Sequence, residues 1–143
     1  MTAMFVNLPV NDLERAKAFY TAVGFTLDPV RSDHNAACFV VEEDHSYVMV
    51  LLREFFQTFT DRTIGDPAVH PTASVAVFLD SRDTVDAAVA AGIAAGGTEE
   101  QPASDYGFMY QRQLIDPDGN FLDLGFVDPA ALAQQSDAVA QQA

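Results

Sequence analysis

Chemistry in this chain has few candidates to rest on. The three histidines, His34, His45 and His70, fall in stretches that read as loops among charged or Pro-flanked neighbours, where solvent exposure is the default. The single cysteine, Cys38, sits between Ala37 and Phe39 in an apolar run, the setting of a buried, inert thiol. Asp116-Pro-Asp118-Gly119 has the opening of a calcium loop, but Val127 stands where the bidentate Glu belongs, so a hairpin turn is the better reading. No GxGxxG, P-loop, GxSxG or HExxH pattern occurs. That leaves Asp123. Strand alternation sets it on one face with Phe121 and Gly125. A carboxylate among Phe side chains has the surroundings of a general base; the alternative is that a backbone donor or Arg112 satisfies it. Tyr110 and Arg112, if turned inward, would orient an anionic group.

The elements that must position these groups come in two copies. Met4 to Val10 reads as a strand. A helix follows, capped at Asn11, with Leu13, Ala16, Phe19, Tyr20 and Val23 at helical spacing and Gly24 as its stop. Strands are expected over Phe25 to Pro29, Ala36 to Glu42 and Ser46 to Leu52. The second half repeats the order: a strand over Thr72 to Leu79, a helix capped by Asp80 or Ser81, then strands over Thr98 to Gln101, Phe108 to Ile115 and Phe121 to Val127. On the first strand Phe5 and Asn7 share a face, and on the fifth Ser74, Ala76 and Phe78 do. The fold expected is α+β: two βαβββ repeats forming a curved eight-stranded mixed sheet, a cup with helices outside. Residues 1–143 make one domain, with repeat one at about 4–60, repeat two at about 70–127 and an Ala- and Gln-rich tail over 128–143. Between the repeats, Glu54 to Phe59 reads as a short helix for packing or subunit contact, or a lid.

Composition narrows the classes. Hydrophobic residues are 49% and charged residues 20% of the chain, which suits a globule, and the eleven Phe suit an apolar interior or cavity. The net charge of −14, with one Lys and six scattered Arg, argues against nucleic acid as a partner. No apolar run is long enough to span a membrane, and the first residues lack the features of a signal peptide, so the cytoplasm is the expected location.

Two segments resemble a known superfamily. Val10-Asn-Asp-Leu-Glu-Arg-Ala-Lys-Ala-Phe-Tyr-Thr-Ala-Val-Gly-Phe25 is similar to the opening strand-to-helix turn of the vicinal oxygen chelate proteins, which include glyoxalase I, the bleomycin-resistance proteins and dioxygenases. Asp116-Pro-Asp-Gly-Asn-Phe-Leu-Asp-Leu124 is similar to the hairpin into their last strand. Tyr106-Gly-Phe-Met-Tyr-Gln-Arg112 resembles a subgroup of predicted lactoylglutathione lyases. The resemblance implies a cup with a small-molecule site and, in the metalloenzymes, four strand residues holding Ni, Zn, Mn or Fe. Those positions fall here on Phe5, Met49 (Val50 if the register slips), Ser74 and Asp123. Only Asp123 is a good hard-metal ligand. The expectation is therefore a homodimeric protein that binds a small organic ligand without metal or other cofactor, through Phe5, Asn7, Met49, Ser74, Phe78, Tyr110, Arg112 and Phe121. The alternative is a lyase or isomerase of glyoxalase type using a divalent metal.

Overall fold

In the computed structural model, which describes residues 1–142, eight strands divide equally between two mixed sheets. The first repeat runs β1 (Met4–Val10), α1 (Leu13–Val23), β2 (Thr26–Asp28), β3 (Ala36–Glu42) and β4 (Ser46–Leu52). A short helix α2 (Arg53–Phe56) and a 3-10 turn (Gln57–Phe59) open the connector. The second repeat runs β5 (Ser74–Phe78), α3 (Arg82–Ala94), β6 (Ser104–Asp105), β7 (Met109–Arg112) and β8 (Phe121–Val127), followed by α4 (Pro129–Gln142). Sheet orders are β1-β4-β3-β2 and β5-β8-β7-β6, so the first strand of each repeat is an edge paired parallel to the last. Pro9 lies on such an edge, where its missing donor does no harm. The α+β class and the twice-used βαβββ order are as the sequence predicts.

Amphipathic spacing decides what the helices bury. Leu13, Ala16, Phe19, Tyr20 and Val23 line the inner face of α1, and Val85, Ala88, Val89 and Gly92 that of α3. The two helices meet closely because Gly92 and Gly97 leave room for Phe19: a Cβ on Gly97 would come within 2.6 Å of its ring. From the sheets, Leu8, Val10, Val48, Val50, Leu122 and Leu124 complete one core common to both repeats.

A polar latch adds to that core. The buried Asp116 accepts the Tyr20 hydroxyl at 2.9 Å, the Asn120 amide at 3.0 Å and the backbone N–H groups of Asp118 and Asn120. The buried Asp118 accepts the Asn11 backbone N–H at 2.8 Å and the Arg15 guanidinium at 2.7 Å. The hairpin of repeat two thus grips the start of the helix of repeat one. This corrects the expected cap: Asp12, not Asn11, accepts Arg15 N–H at the start of α1, because the Asn11 amide is drawn to Asp118. Ser81 caps α3 through Thr84 N–H.

One expected strand is reduced. Over Thr98 to Gln101 only Thr98 bridges Ile115, and the strand pairing with β7 begins instead at Ser104. The cause is local: the Gln113 side-chain carbonyl accepts the N–H groups of Glu100 and Gln101, which a ladder would otherwise use. The tail forms α4, with Asp128 accepting Ala130 N–H at its start and no residue buried. No described helix is long and apolar enough to cross a membrane.

Candidate functional site

Strand parity separates each sheet into a face against the helices and a face away from them. Val6, Leu8 and Val10 turn towards the core, so Phe5, Asn7 and Pro9 turn away. By the same rule Val75 and Val77 point in and Ser74, Ala76 and Phe78 out, and Leu122 and Leu124 in with Phe121, Asp123 and Gly125 out.

On the outer face of the first sheet Phe5 stacks on Tyr47, ring centroids 4.5 Å apart and 10° from coplanar. The Arg31 guanidinium lies over both rings, 5.0 Å from Tyr47 and 5.9 Å from Phe5, and pairs with Asp28 at 2.6 Å. That hydrogen bond holds the Asp28 carboxyl below its ordinary value. Asn7 stands opposite Met49 in the ladder. Cys38 is buried on this sheet, and desolvation pushes its thiol up, so it stays protonated and unreactive.

On the outer face of the second sheet the Ser74 hydroxyl donates to Asp123. The other Asp123 oxygen is buried without a partner. The Phe78 ring fills the space that a Cβ on Gly125 would occupy, 2.5 Å away. Arg112 does not reach Asp123. It pairs in register with Leu124, a core residue, so its side chain lies on the helix face and binds Glu99 at 2.7 Å and Asp86 of α3 at 3.0 Å. Tyr110 goes the same way and donates to Asp86 at 2.6 Å. These bonds raise the Arg112 guanidinium and hold Asp86 low. The expectation that Tyr110 and Arg112 orient a ligand is therefore corrected: parity turns both onto α3.

The faces meet at a cleft of about 370 Å³ between β1 and the start of β8. Asn7 and Pro9 line one side, Phe121 and Asn120 the other, with Thr72 and Ala73 leading into β5. The roof is the connector: Phe56 of α2, then Ile64, Gly65, Pro67, His70 and Pro71. It is pinned in place. Arg53 donates to the Gly65 carbonyl at 2.9 Å, Gln57 to the Thr60 and Arg62 carbonyls, and Gly119 packs so closely on Ala68 that a Cβ would meet its backbone at 2.5 Å. The volume and the apolar lining with a few polar groups fit a small organic molecule.

Of the residues expected to bind ligand, Asn7 and Phe121 share this cleft, and Ser74 follows its wall residue Ala73 in the chain. Phe5 and Met49 lie on the adjoining sheet face, and Phe78 lines grooves with Val41 and Glu42 instead. Of the connector residues, Phe56 falls in the stretch Glu54 to Phe59, expected to serve packing, a subunit contact or a lid; those from Ile64 to Pro71, His70 included, were not expected.

A divalent metal does not fit the donor set. The four strand positions offer a phenyl ring, a thioether, a hydroxyl and one carboxylate, and that carboxylate already accepts from Ser74. Among the described residues no three His, Cys, Asp or Glu side chains converge as metal ligands. Asp116 and Asp118 are taken up by the latch, so the hairpin is not a calcium loop.

The family model described as "Bleomycin resistance protein-like N-terminal" matches residues 2–42. No curated protein matches the chain by sequence. Solved structures do match. A glyoxalase/bleomycin resistance protein/dioxygenase family enzyme from Burkholderia phytofirmans PsJN is 22% identical, covering 87% of this chain and 97% of its own, with a TM-score of 0.70. A glyoxalase/bleomycin resistance protein from Albidiferax ferrireducens T118 is 26% identical over 87% and 97%, at 0.65. A glyoxalase-related enzyme from Fulvimarina pelagi is 20% identical over 88% and 87%, at 0.73. Two βαβββ repeats, the match of residues 2–42 to the bleomycin-resistance-like model and these structural likenesses agree: the chain has the fold of the glyoxalase/bleomycin-resistance proteins.

Proposed function

We propose that this protein binds a small organic ligand in the cleft between β1 and β8, without the metal that enzymes of the superfamily use. The observation that carries the reading is a roofed, largely apolar cleft beside four strand positions of which only Asp123 is a good ligand for a divalent ion. A glyoxalase-type lyase would need that ion to polarise adjacent substrate oxygens. Asp123 keeps a supporting part as the one carboxylate among the four strand positions, bonded to Ser74. The exposed rings of Phe5 and Phe78 supply apolar surface for a second copy, and a homodimer belongs to the reading.

Metal analysis of protein purified without chelator, with thermal-shift series over Ni, Zn, Mn and Fe, tests it. The expected result is no stoichiometric metal, the same response in Asp123→Ala as in the parent, and no turnover of methylglyoxal with glutathione. Stoichiometric metal that is lost in Asp123→Ala would overturn the proposal.

A further inference from the structure

The protein carries a net charge of −14, yet among the described residues no Asp, Glu, Lys or Arg lines the cleft. Charged side chains adjoining the lining residues are held within the protein, Asp66 by the Ala68 N–H and Asp123 by the Ser74 hydroxyl. Arg53, behind the roof, donates to the Gly65 and Ile64 carbonyls. Asp116, behind Asn120, accepts from Tyr20 and Asn120, and Asp118 is paired with Arg15. Three side chains lining the cleft make no hydrogen bond within the protein: the amide of Asn7, the imidazole of His70 and the hydroxyl of Thr72. Around them the walls are Phe56, Ile64, Pro71 and Phe121.

From this we infer the charge class of the ligand: an uncharged molecule of one or two rings, with a single hydrogen-bonding edge, recognised by Asn7, His70 and Thr72. The inference rests on the proposed binding role of the cleft and narrows it. Three physical terms disfavour the alternatives. An anion entering an apolar cleft gives up its hydration and finds no guanidinium or ammonium in return. The field of a strongly acidic protein opposes it further. A cation is drawn in by that field and by the faces of Phe56 and Phe121, but no carboxylate lines the cleft to offset most of its desolvation. A neutral ring system loses little hydration, and its hydroxyl or amide edge has the Asn7 amide, the His70 imidazole and the Thr72 hydroxyl to pair with. The same terms disfavour any conjugate of glutathione, whose carboxylates have no cationic partner here.

Three probes of one shape separate the classes: 1-naphthol, 1-naphthoate and 1-naphthylmethylammonium, titrated into the full chain and followed by amide chemical shifts. The expected result is binding of 1-naphthol at least tenfold tighter than either ion, with shifts at Asn7, Phe56, His70 and Phe121. Asn7→Leu, which keeps the size and removes the amide, weakens 1-naphthol severalfold, and Ala73→Trp, which fills the cleft, abolishes binding while the rest of the spectrum stays folded. Tighter binding of either ion at the same residues would overturn the charge class and leave the cleft as the site. Failure of all three probes to perturb the cleft would overturn the binding role itself, and the charge class with it.

Discussion

Asp118→Ala measures how much the grip between the repeats contributes. One carboxylate oxygen, on a residue only 5% exposed, accepts the Asn11 N–H at 2.8 Å, the Asn11 side-chain amide at 3.0 Å and Arg15 at 2.7 Å. Hydrogen bonds to a charged acceptor contribute about 1.5–3 kcal/mol each, but three sharing one oxygen do not add. Two effects lower the sum. The Arg15 side chain is 43% exposed, so solvent screens its share. The second Asp118 oxygen is buried without a partner, and the variant relieves that desolvation. The expected loss is about 2 kcal/mol, chiefly from the stranded Asn11 N–H, or roughly 8 °C in Tm for a domain of this length. Urea unfolding should show a lowered midpoint, an unchanged slope and a single transition, because both helices share one core. Arg15→Ala should cost about 1 kcal/mol or less, since it removes only the screened partner. A loss below about 0.5 kcal/mol in Asp118→Ala would put the mutation in the range of an ordinary surface change and refute the latch.

Gly119 has φ +95° and leaves no space for a Cβ beside Ala68. Gly119→Ala should cost about 1–3 kcal/mol and also loosen the roof, weakening ligand binding in the same titration; unchanged affinity would separate the roof from the site. Asp116 titrates above an ordinary aspartate, because burial outweighs the hydrogen bonds from Asn120, Tyr20 and Asp118. The folded form therefore holds this proton more tightly than the unfolded chain does. Between the unfolded and folded values its contribution improves stability as pH falls, and the cost of burying the charge is fully present above the folded value. A carboxyl titration by NMR should place Asp116 above the usual aspartate midpoint, and Asp116→Asn should remove that part of the pH dependence; a midpoint at or below the usual one would contradict the assignment.

How far these features were legible depends on the range of the interactions that set them. β3, β4 and β8 begin and end where the apolar runs and turn residues place them, because each is fixed by its own pattern against the core. The inner faces of α1 and α3 follow from helical spacing alone. Misreadings arise where a distant or side-chain partner takes over a local role. Asn11 is a good cap by type, but a hairpin more than a hundred positions away claims it. Thr98 to Gln101 has a strand's composition, but Gln113 absorbs its donors. Tyr110 and Arg112 were identified by type, and only the pairing of Arg112 with Leu124 shows that they face α3. The cleft was half legible for the same reason. Asn7 and Phe121 lie on strands whose parity the core fixes, whereas the roof from Phe56 to Pro71 has no period to read. Its place is set by Arg53 and by the close approach at Gly119, contacts that exist only once both repeats have docked. Asp123 combines both cases: parity puts it on the outer face, as expected, but its partner is Ser74 from the neighbouring strand β5 rather than Arg112. Two of the four positions expected from the resemblance, Ser74 and Asp123, are thus joined to each other.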